Sequence, residues 1–351
     1  MTMTREGAPP TRAAEDEPVL VVSNLRAYYE MKYFGILREV RAVDDISLIV
    51  KRNEIYGLAG ESSCGKTTLI KTIAGAIRPP LNVVGGSVKF NFRDRSIDIY
   101  EAGARAVDDI RWEYLSYVMQ GSMNVLNPVR RVRTAFIDFA FRHIGKSMPE
   151  FTGIVETHLK RLHLQPDVLN AYPHELSGGM RQRVTIALAT VCRPEFIIAD
   201  EPTTALDVVV QKGVLAMMRE VQREIRSSVI FVTHDMAVHA NMADRLGIMY
   251  AGRLVEEGRT ADVFRDPRHP YTQHLIGSLP KIGDLKPKDA LPGAPPNLSE
   301  PPSGCRFHPR CAYAMDICSQ EEPPIIGDEQ RFAACWWVKE QSETTSVMEA
   351  E

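Results

Sequence analysis

A glycine-rich stretch, residues 60–68, has the residue types and spacing of a phosphate-binding loop. It reads GESSCGKTT and fits the pattern G-x-x-x-x-G-K-[ST]. Glycines permit backbone conformations that a Cβ forbids, so successive N–H groups can turn inward around a phosphate. Residues 54–59, which are apolar after Glu54, predict a buried strand before the loop, and residues 69–74 predict a helix whose positive end adds to the anion site. This context favours phosphate binding over a glycine turn that binds nothing.

Two side chains of this P-loop are expected to contact the nucleotide or its metal ion directly. We expect Lys66 to reach the β- and γ-phosphates of a nucleotide, and the Thr67 hydroxyl to bind Mg²⁺. The residues expected around the phosphates are Gly60, Glu61, Ser62, Ser63, Cys64, Gly65, Lys66, Thr67 and Thr68.

An apolar segment, residues 196–199, ends in two adjacent carboxylates, Asp200 and Glu201. We expect Asp200 to hold Mg²⁺ as a Walker-B aspartate does. Glu201 is placed to polarise a water aimed at the γ-phosphate. The P-loop upstream disfavours the alternative of a strand capped by two solvated acids.

A second anion-binding turn lies at residues 177–179, where Ser177, Gly178 and Gly179 open a predicted helix. The P-loop already supplies one phosphate site in the chain. The simplest interpretation is that the second turn faces a nucleotide bound to another subunit.

The stretch LSGGMRQR, residues 176–183, closely resembles the signature of ATP-binding-cassette (ABC) ATPases. Gln120 resembles the Q-loop glutamine of that family, TALD at 204–207 resembles its D-loop with Asp207, and His234 resembles its switch histidine. Tyr29 falls where the family stacks an aromatic ring on adenine, and Tyr28 is an equally good match. The resemblance covers roughly residues 19–340.

The resemblance implies an α/β fold: a P-loop NTPase (RecA-like) core with a small antiparallel β-subdomain, a helical signature subdomain and a small cysteine-rich C-terminal extension. Apolar strands alternating with helices independently favour a parallel α/β sheet. Two cassettes would close head to tail on two ATP molecules, and each site would take its Ser177–Gly179 turn from the opposite chain. Glu201, His234 and Gln120 would be catalytic, and Thr67, Gln120 and Asp200 would hold Mg²⁺.

Composition shifts divide the chain. Residues 1–17 are predicted to be a disordered tail, and residues 18–265 the nucleotide-binding domain, with a helical subdomain at about 115–185. Frequent prolines after Asp266 indicate a linker and a separate module, residues 266–340, followed by a disordered tail, 341–351.

The net charge of the chain and the distribution of its apolar residues limit the partners and the location that we expect for it. The formal charge of −3 does not favour nucleic acid, no apolar run has the length of a membrane span, and no charged-then-apolar leader is present. We therefore expect a peripheral protein on the cytoplasmic face of the inner membrane, touching the membrane through a partner. The loop of residues 121–128 and the helical region to about residue 171 are the expected contact.

Four of the six cysteines, Cys305, Cys311, Cys318 and Cys335, crowd the C-terminal module. Such crowding in a cytosolic protein suggests metal or cluster ligation, by Zn²⁺ or an iron–sulfur cluster. The HPYT and CRFHPRC stretches resemble the C-terminal extension of oligopeptide/dipeptide importers, which implies a [4Fe–4S] cluster on these four residues. Arg306, His308 and Arg310 are interpreted as solvated side chains of the module.

The resemblance implies an ATP-hydrolysing subunit of a binding-protein-dependent importer, for di- or oligopeptides. Oligosaccharides, opines or nickel complexes are alternative cargoes, and a soluble non-transport cassette is the alternative from another class. The implied partners are two transmembrane permease subunits, a second ATPase (a paralogue rather than an identical chain) and, indirectly, an extracytoplasmic solute-binding protein.

Overall fold

The computed structural model of this 351-residue chain describes residues 17–33, 36–121, 125–204, 206–279 and 291–348. The tail predicted at 1–17 lies outside these residues except for Glu17.

The strands and helices alternate along most of the chain. The strands are β1 Leu20–Tyr33, β2 Ile36–Val50, β3 Ile55–Ala59, β4 Leu81–Asn91, β5 Ser96–Asp98, β6 Leu115–Val118, β7 Phe196–Asp200, β8 Ser228–Val232, β9 Arg245–Tyr250, β10 Arg253–Arg259, β11 Ile325–Gly327 and β12 Phe332–Ala334. The α-helices are α1 Lys66–Ile73, α2 Gly103–Ile110, α3 Val132–Ile144, α4 Met148–Arg161, α5 Gly178–Thr190, α6 Val208–Ile225, α7 Met236–Met242, α8 Thr260–Arg265, α9 Pro270–Gly277, α10 Asp316–Gln320 and α11 Trp336–Met348.

The chain divides into two compact units, which are described separately. The first contains the described residues of Met1–Val21, Ile49–Glu54 and Lys89–Phe231. The second contains those of Val22–Leu48, Ile55–Val88 and Val232–Glu351. The P-loop and the C-terminal region thus belong to one unit, and the Walker-B and signature segments to the other.

In the second unit, the P-loop follows β3, a strand whose five residues are all buried. Strand β3 runs parallel to β9, with Gly57 opposite Leu246, and β9 pairs antiparallel with β10. Fully apolar, fully buried strands are typical of parallel sheets covered on both faces. This sheet therefore gives the P-loop a rigid base at the carboxyl end of β3. Strands β2, β1 and β4 form a separate sheet.

In the first unit, β6 and β7 pair in parallel, with Val118 opposite Ala199, and β8 lies beside β7. The helices of the predicted helical subdomain are α3, α4 and α5, while residues 115–118 instead form strand β6. Helix α4 begins with a capping box, in which Ser147 N–H donates to Glu150 Oε2 over 3.0 Å. Within the same unit, His158 Nε2 of α4 lies 2.8 Å from Thr190 Oγ1 of α5.

The C-terminal region is not a separate module, as the proline-rich composition had suggested, because it completes the unit that carries the P-loop. Strand β12 extends the β3–β9–β10 sheet, with Ala333 opposite Glu256 of β10. Tyr271 and Phe307 belong to the same buried cluster as Ala59, the last residue of β3.

The C-terminal tail predicted to be disordered continues helix α11, which runs to Met348. The helix begins at two tryptophans: the Trp337 ring stacks on Tyr313 at 4.5 Å, and Trp336 Nε1 donates to the Glu321 carbonyl. An argument from composition misses such anchors because few apolar residues lie in 341–348. Residues 349–351 lie outside the described part of the chain.

Among the described residues, no helix combines the length and apolar character that crossing a bilayer requires.

Candidate nucleotide-binding and hydrolysis site

The two P-loop glycines occupy positions that other residues cannot fill. Gly60 has φ +149° and Gly65 has φ +106°, both in the region that favours glycine. A Cβ on Gly60 would stand 2.1 Å from the Met249 carbonyl oxygen, and one on Gly65 would stand 1.9 Å from that of Ala42. The loop is therefore closely packed against β9 and β2, which fixes the direction of its N–H groups.

Ser63 carries the strain of this loop. Its φ is +65°, in the left-handed region that costs an L-residue roughly 1–2 kcal/mol. Glycine adopts this left-handed backbone without that cost.

The side chain of Lys66 lies along the loop. Its Nζ donates to the carbonyl oxygens of Gly60 and Glu61, each over 2.8 Å, and stands 3.6 Å from Cys64 Sγ. The ammonium group is thus held at the loop. Burial raises the pKa of the Cys64 thiol although Lys66 acts in the opposite direction, so Cys64 is a packed, neutral loop residue.

The two candidate adenine-stacking tyrosines have different partners. The Tyr29 hydroxyl lies 3.2 Å from Thr68 Oγ1, in the first turn of α1. The Tyr28 hydroxyl donates to the Asp44 carboxylate, and burial together with Asp44 raises the pKa of Tyr28 to about 12. Tyr29 is therefore the one in direct contact with the P-loop helix.

The switch-histidine candidate, His234, is exposed just after β8 in the second unit. Asp235, the next residue, caps helix α7 by accepting the Ala237 N–H over 2.8 Å. A buried histidine of the same helix, His239, has a different role. Its Nε2 lies 3.1 Å from the Thr233 carbonyl oxygen, and burial lowers its pKa to about 4.

In the first unit, Asp200 ends β7 with only 1% of its surface exposed. The Tyr117 hydroxyl, on the adjacent β6, donates to Asp200 Oδ2 over 3.4 Å. Burial and the Asp200 carboxylate raise the pKa of Tyr117, so the tyrosine remains a neutral donor. Tyr117 is not part of the Walker-B motif, so the motif did not predict its contact with Asp200. The indication of this contact was the position of Tyr117 on a strand beside the Walker-B strand.

Glu201, the predicted base, is held by two donors. The Gln120 Nε2 and the Thr204 Oγ1 both donate to Glu201 Oε2, over 3.1 and 2.9 Å. Glu201 itself has φ +46°, an uncommon conformation for a non-glycine residue. Strain of this kind clusters at functional sites. The structure therefore brings together Gln120 and Glu201, and adds Thr204, which sequence reasoning had placed only within the D-loop.

The signature and D-loop segments lie against each other within the first unit. Ser177 caps α5, its Oγ accepting the Met180 N–H over 3.3 Å. A Cβ on Gly179 would stand 2.7 Å from Val210 Cγ1 of α6, whereas one on Gly178 would stand 3.8 Å from Leu206 Cδ2.

Asp207 caps α6, accepting the N–H groups of Val209 and Val210 over 3.0 and 2.9 Å. The start of this helix is unusually apolar at the surface: Val208 is 67% exposed and Val209 81%. Residue 205 of the D-loop lies outside the described residues.

The expectation that Arg306 and Arg310 are solvated is wrong. Arg306 is buried and forms an ion pair with Asp44, and Arg310 is buried and forms one with Glu61 of the P-loop. Both guanidinium groups therefore join the C-terminal region to the nucleotide-binding segments of the same unit. In the sequence, both arginines stand among aromatic and cysteine residues. Residues of these types are often buried, which was the available indication that the arginines are buried too.

The four C-terminal cysteines are free thiols in one small region. Burial raises the pKa of Cys305 to about 12, with a further contribution from the other three, and burial raises that of Cys335 to about 11. The Tyr313 N–H lies 3.4 Å from Cys311 Sγ. In the described part of the chain, no group of three or more His, Cys, Asp or Glu side chains is arranged to hold a metal ion.

Two family models match the chain. Residues 43–204 match the model described as ABC transporter, and residues 255–318 match the one described as oligopeptide/dipeptide transporter, C-terminal region. The first match covers the P-loop, signature and Walker-B segments, and the second covers the HPYT segment and three of the four cysteines.

Curated relatives extend the similarity to nearly the whole chain. The dipeptide transport ATP-binding protein DppD of Caldanaerobacter subterraneus is 38% identical over 90% of this chain and 96% of its own length. The chain belongs to the ABC transporter family. The oligopeptide transport ATP-binding protein OppD of Salmonella typhimurium is 38% identical over 85% of the chain and 88% of its own length. DppD of Bacillus subtilis is 38% identical over 93% and 97%.

Solved structures give the fold of this ABC ATPase. The dimeric structure of a post-hydrolysis state of the ATP-binding cassette MJ0796, bound to ADP and Pi, superposes with a TM-score of 0.59 at 25% identity. It covers 69% of this chain and 98% of that cassette. The predicted cassette fold, a P-loop NTPase with an antiparallel β-subdomain, is confirmed, and so is the prediction of an ATP-hydrolysing enzyme.

Proposed function

We propose that this ABC ATPase powers a binding-protein-dependent importer of di- or oligopeptides. The observation that carries the proposal is the oligopeptide/dipeptide-type C-terminal region, residues 255–318, packed into the unit that holds the P-loop. The relatives named for dipeptide and oligopeptide transport support the same cargo class.

Reconstitution of the ATPase with its two permease subunits and its receptor tests this cargo class. Vesicles supplied with MgATP should accumulate labelled di- or oligopeptides, and the Glu201→Gln complex should not. Accumulation of an oligosaccharide, an opine or a nickel complex in place of every peptide offered would contradict the proposal.

The ATPase acts as one of two facing cassettes. Each site takes its P-loop, Gln120, Asp200, Glu201 and His234 from one chain and its Ser177–Gly179 turn from the other, with Tyr29 stacked on adenine and Mg²⁺ held by Thr67, Gln120 and Asp200. The exposed Val208 and Val209 beside the signature turn support an interface there, because exposed apolar patches mark association surfaces.

Molar mass by light scattering tests this pairing. The Glu201→Gln chain with MgATP should double its mass, alone or with a paralogous ATPase, and adding Val209→Asp should abolish the doubling. A mass independent of MgATP under both conditions would contradict the arrangement. Doubling without a paralogue would identify the second cassette as an identical chain.

The membrane partner docks on the surface formed by the loop after Gln120 and helix α3. A cavity of about 180 Å³ there is lined by apolar, polar and charged side chains, among them Val125, Arg130, Asp138 and Phe139. Val129 is 78% exposed, whereas Leu126 is buried at 5% and therefore belongs to the core. Met123 lies outside the described residues. Docking here would place the ATPase peripherally on the cytoplasmic face of the membrane.

Peptide uptake by Val129→Asp tests this surface. The substitution should uncouple ATP hydrolysis from uptake and weaken co-purification with the permease subunits. The Val84→Asp substitution, at an exposed apolar position outside the predicted contact region, is the matched control. Equal coupling in the two variants would refute the docking site.

The four C-terminal thiols, Cys305, Cys311, Cys318 and Cys335, are the residues that would hold a [4Fe–4S] cluster, although the described side chains are not grouped as a metal site requires. Main-chain N–H groups at Phe307, Tyr313, Trp337 and Val338 donate to three of the sulfurs. Such bonds suit thiolate ligands and tune cluster potentials.

Anaerobic purification with iron, sulfide and zinc analysis decides the group. Iron and sulfide with visible charge-transfer absorbance, lost in Cys311→Ser, is the expected result. Zinc would retain the ligands and replace the cluster, and neither metal would refute ligation altogether.

A further inference from the structure

Glu61, the second residue of the P-loop, is held by two residues of the C-terminal region. Its carboxylate receives a bidentate pair from Arg310, with Nη1 2.7 Å from Oε2 and Nη2 3.0 Å from Oε1. Its main-chain N–H donates to the Tyr271 hydroxyl over 2.7 Å. Its carbonyl accepts from Lys66, so both backbone and side chain are fixed.

Arg310 is also held by residues outside the P-loop. Its Nε donates to the Pro292 carbonyl over 2.8 Å, and its Nη1 lies 3.2 Å from the Tyr250 hydroxyl. The side chain is only 6% exposed. The hydrogen bonds to Glu61 raise the pKa of Arg310, so it is always charged. A planar guanidinium with five donors in a fixed fork holds one orientation of a carboxylate, which a lysine does not.

Tyr271 is equally fixed. Its ring packs against Tyr250 at 4.6 Å and Phe307 at 5.5 Å, inside the cluster that includes Ala59 at the end of β3. His269 caps the helix that presents it, its Nδ1 accepting the Tyr271 N–H over 3.0 Å. The hydroxyl therefore meets the Glu61 N–H from a rigid support.

A carboxylate in a phosphate-binding loop needs such a partner. The bound triphosphate carries several negative charges, and an unpaired carboxylate a few ångströms away opposes its binding. We propose that Arg310 is a positioning residue for ATP binding: it neutralises Glu61 and turns it away from the phosphates, so the C-terminal region sets the ATP affinity of the P-loop. The inference rests only on ATP binding, and it holds for any transported cargo.

The proposal makes a sign-specific prediction for ATP binding to the full-length chain. Arg310→Gln frees the carboxylate and should raise the Kd for MgATP roughly fivefold or more. Arg310→Lys, which keeps the charge but loses the fork, should give a smaller increase. Combining Glu61→Gln with Arg310→Gln removes the repulsion at its source and should restore the Kd to near the wild-type value.

A purely structural role for Arg310 predicts a different pattern. The double variant would then bind MgATP no better than Arg310→Gln, and that result overturns the proposal. The matched control is Glu322→Gln, which breaks the bidentate pair between Glu322 and Arg253, another link to the C-terminal region that has no P-loop contact. Its Kd should equal that of the wild type, and an increase as large as that of Arg310→Gln would also overturn the proposal.

Discussion

The side-chain amide of Gln120 donates a hydrogen bond to Glu201 Oε2 over 3.1 Å. The bond joins the end of β6 to the end of β7, two strands that pair in parallel. Because the carboxyl ends of parallel strands meet at one edge of a sheet, the Q-loop glutamine and the candidate base become neighbours although 81 residues separate them. Thr204 completes the support of the carboxylate.

The Glu201→Gln substitution should lower the turnover of ATP by the assembled complex roughly 100-fold or more, the usual contribution of a positioned base. The amide keeps the shape of the side chain, so ATP should still bind. Turnover and MgATP affinity measured on the same preparation separate the two effects. Glu195→Gln is the control, since this acid is paired with Arg52 in the same unit and has no place in the chemistry. Unchanged turnover in Glu201→Gln would remove this residue from its role.

Gly65→Ala should abolish ATP binding. The new methyl group meets the Ala42 carbonyl at 1.9 Å, so the loop must move out of its phosphate-binding shape. Gly103→Ala is matched, because Gly103 also has a positive φ, +79°, but no described residue has an atom within 4 Å of its Cβ position. It should lose stability by roughly 1–2 kcal/mol and still bind ATP. Equal ATP affinities in the two variants would show that the close approach to Ala42 does not matter.

Ser63→Gly should raise the melting temperature. Glycine relieves the left-handed strain at this position, and the relief exceeds the entropy that glycine adds to the unfolded chain, for a net gain of under about 1 kcal/mol. Ser62, whose φ is not positive, provides the control. The Ser62→Gly substitution makes the unfolded chain more flexible without relieving any backbone strain. This variant should therefore have a lower melting temperature than the wild type. The reverse order of the two melting temperatures would disprove the strain argument.

The His269→Asn substitution should make the free energy of unfolding depend less steeply on pH in the acidic range. Burial lowers the pKa of His269 from its ordinary value of 6.5 to about 3. Between these values the unfolded chain binds a proton that the folded chain does not, so the free energy of unfolding falls as the pH falls. Asparagine keeps a capping acceptor for the Tyr271 N–H and does not titrate.

Urea unfolding between pH 6 and pH 4 measures the difference. The slope of the free energy of unfolding against pH should be smaller in the variant than in the wild type, by up to about 1.4 kcal/mol per pH unit. His239, His158 and Glu256 titrate in both proteins, so the difference belongs to position 269. Parallel stability curves would contradict the assignment.

The chemistry of the site could be predicted from the sequence because each motif is local. The P-loop spacing, the apolar strand before Asp200 and the serine–glycine turn at 177–179 each fix a short piece of backbone. Most strands and helices follow from periodicity in the same way.

The contacts of the C-terminal region could not be predicted, because they are distant in sequence. Arg310 and Glu61 are 249 positions apart, and Arg306 and Asp44 are 262 apart. Composition near the prolines predicted a separate module with solvated arginines, whereas tertiary packing placed those arginines inside the P-loop unit. The helical extent of 341–348 was missed for the same reason, since tryptophans earlier in the chain anchor α11.

The central claim is that each ATP is bound between two cassettes, and one labelling experiment tests it most directly. A Glu201→Gln complex is trapped with an ATP analogue that carries a photoreactive group on its γ-phosphate, with the two ATPase chains distinguished by mass tags. The account predicts label on the P-loop of one chain and on the Ser177–Gly179 turn of the other. Label confined to a single chain, with none on the facing turn, would contradict it.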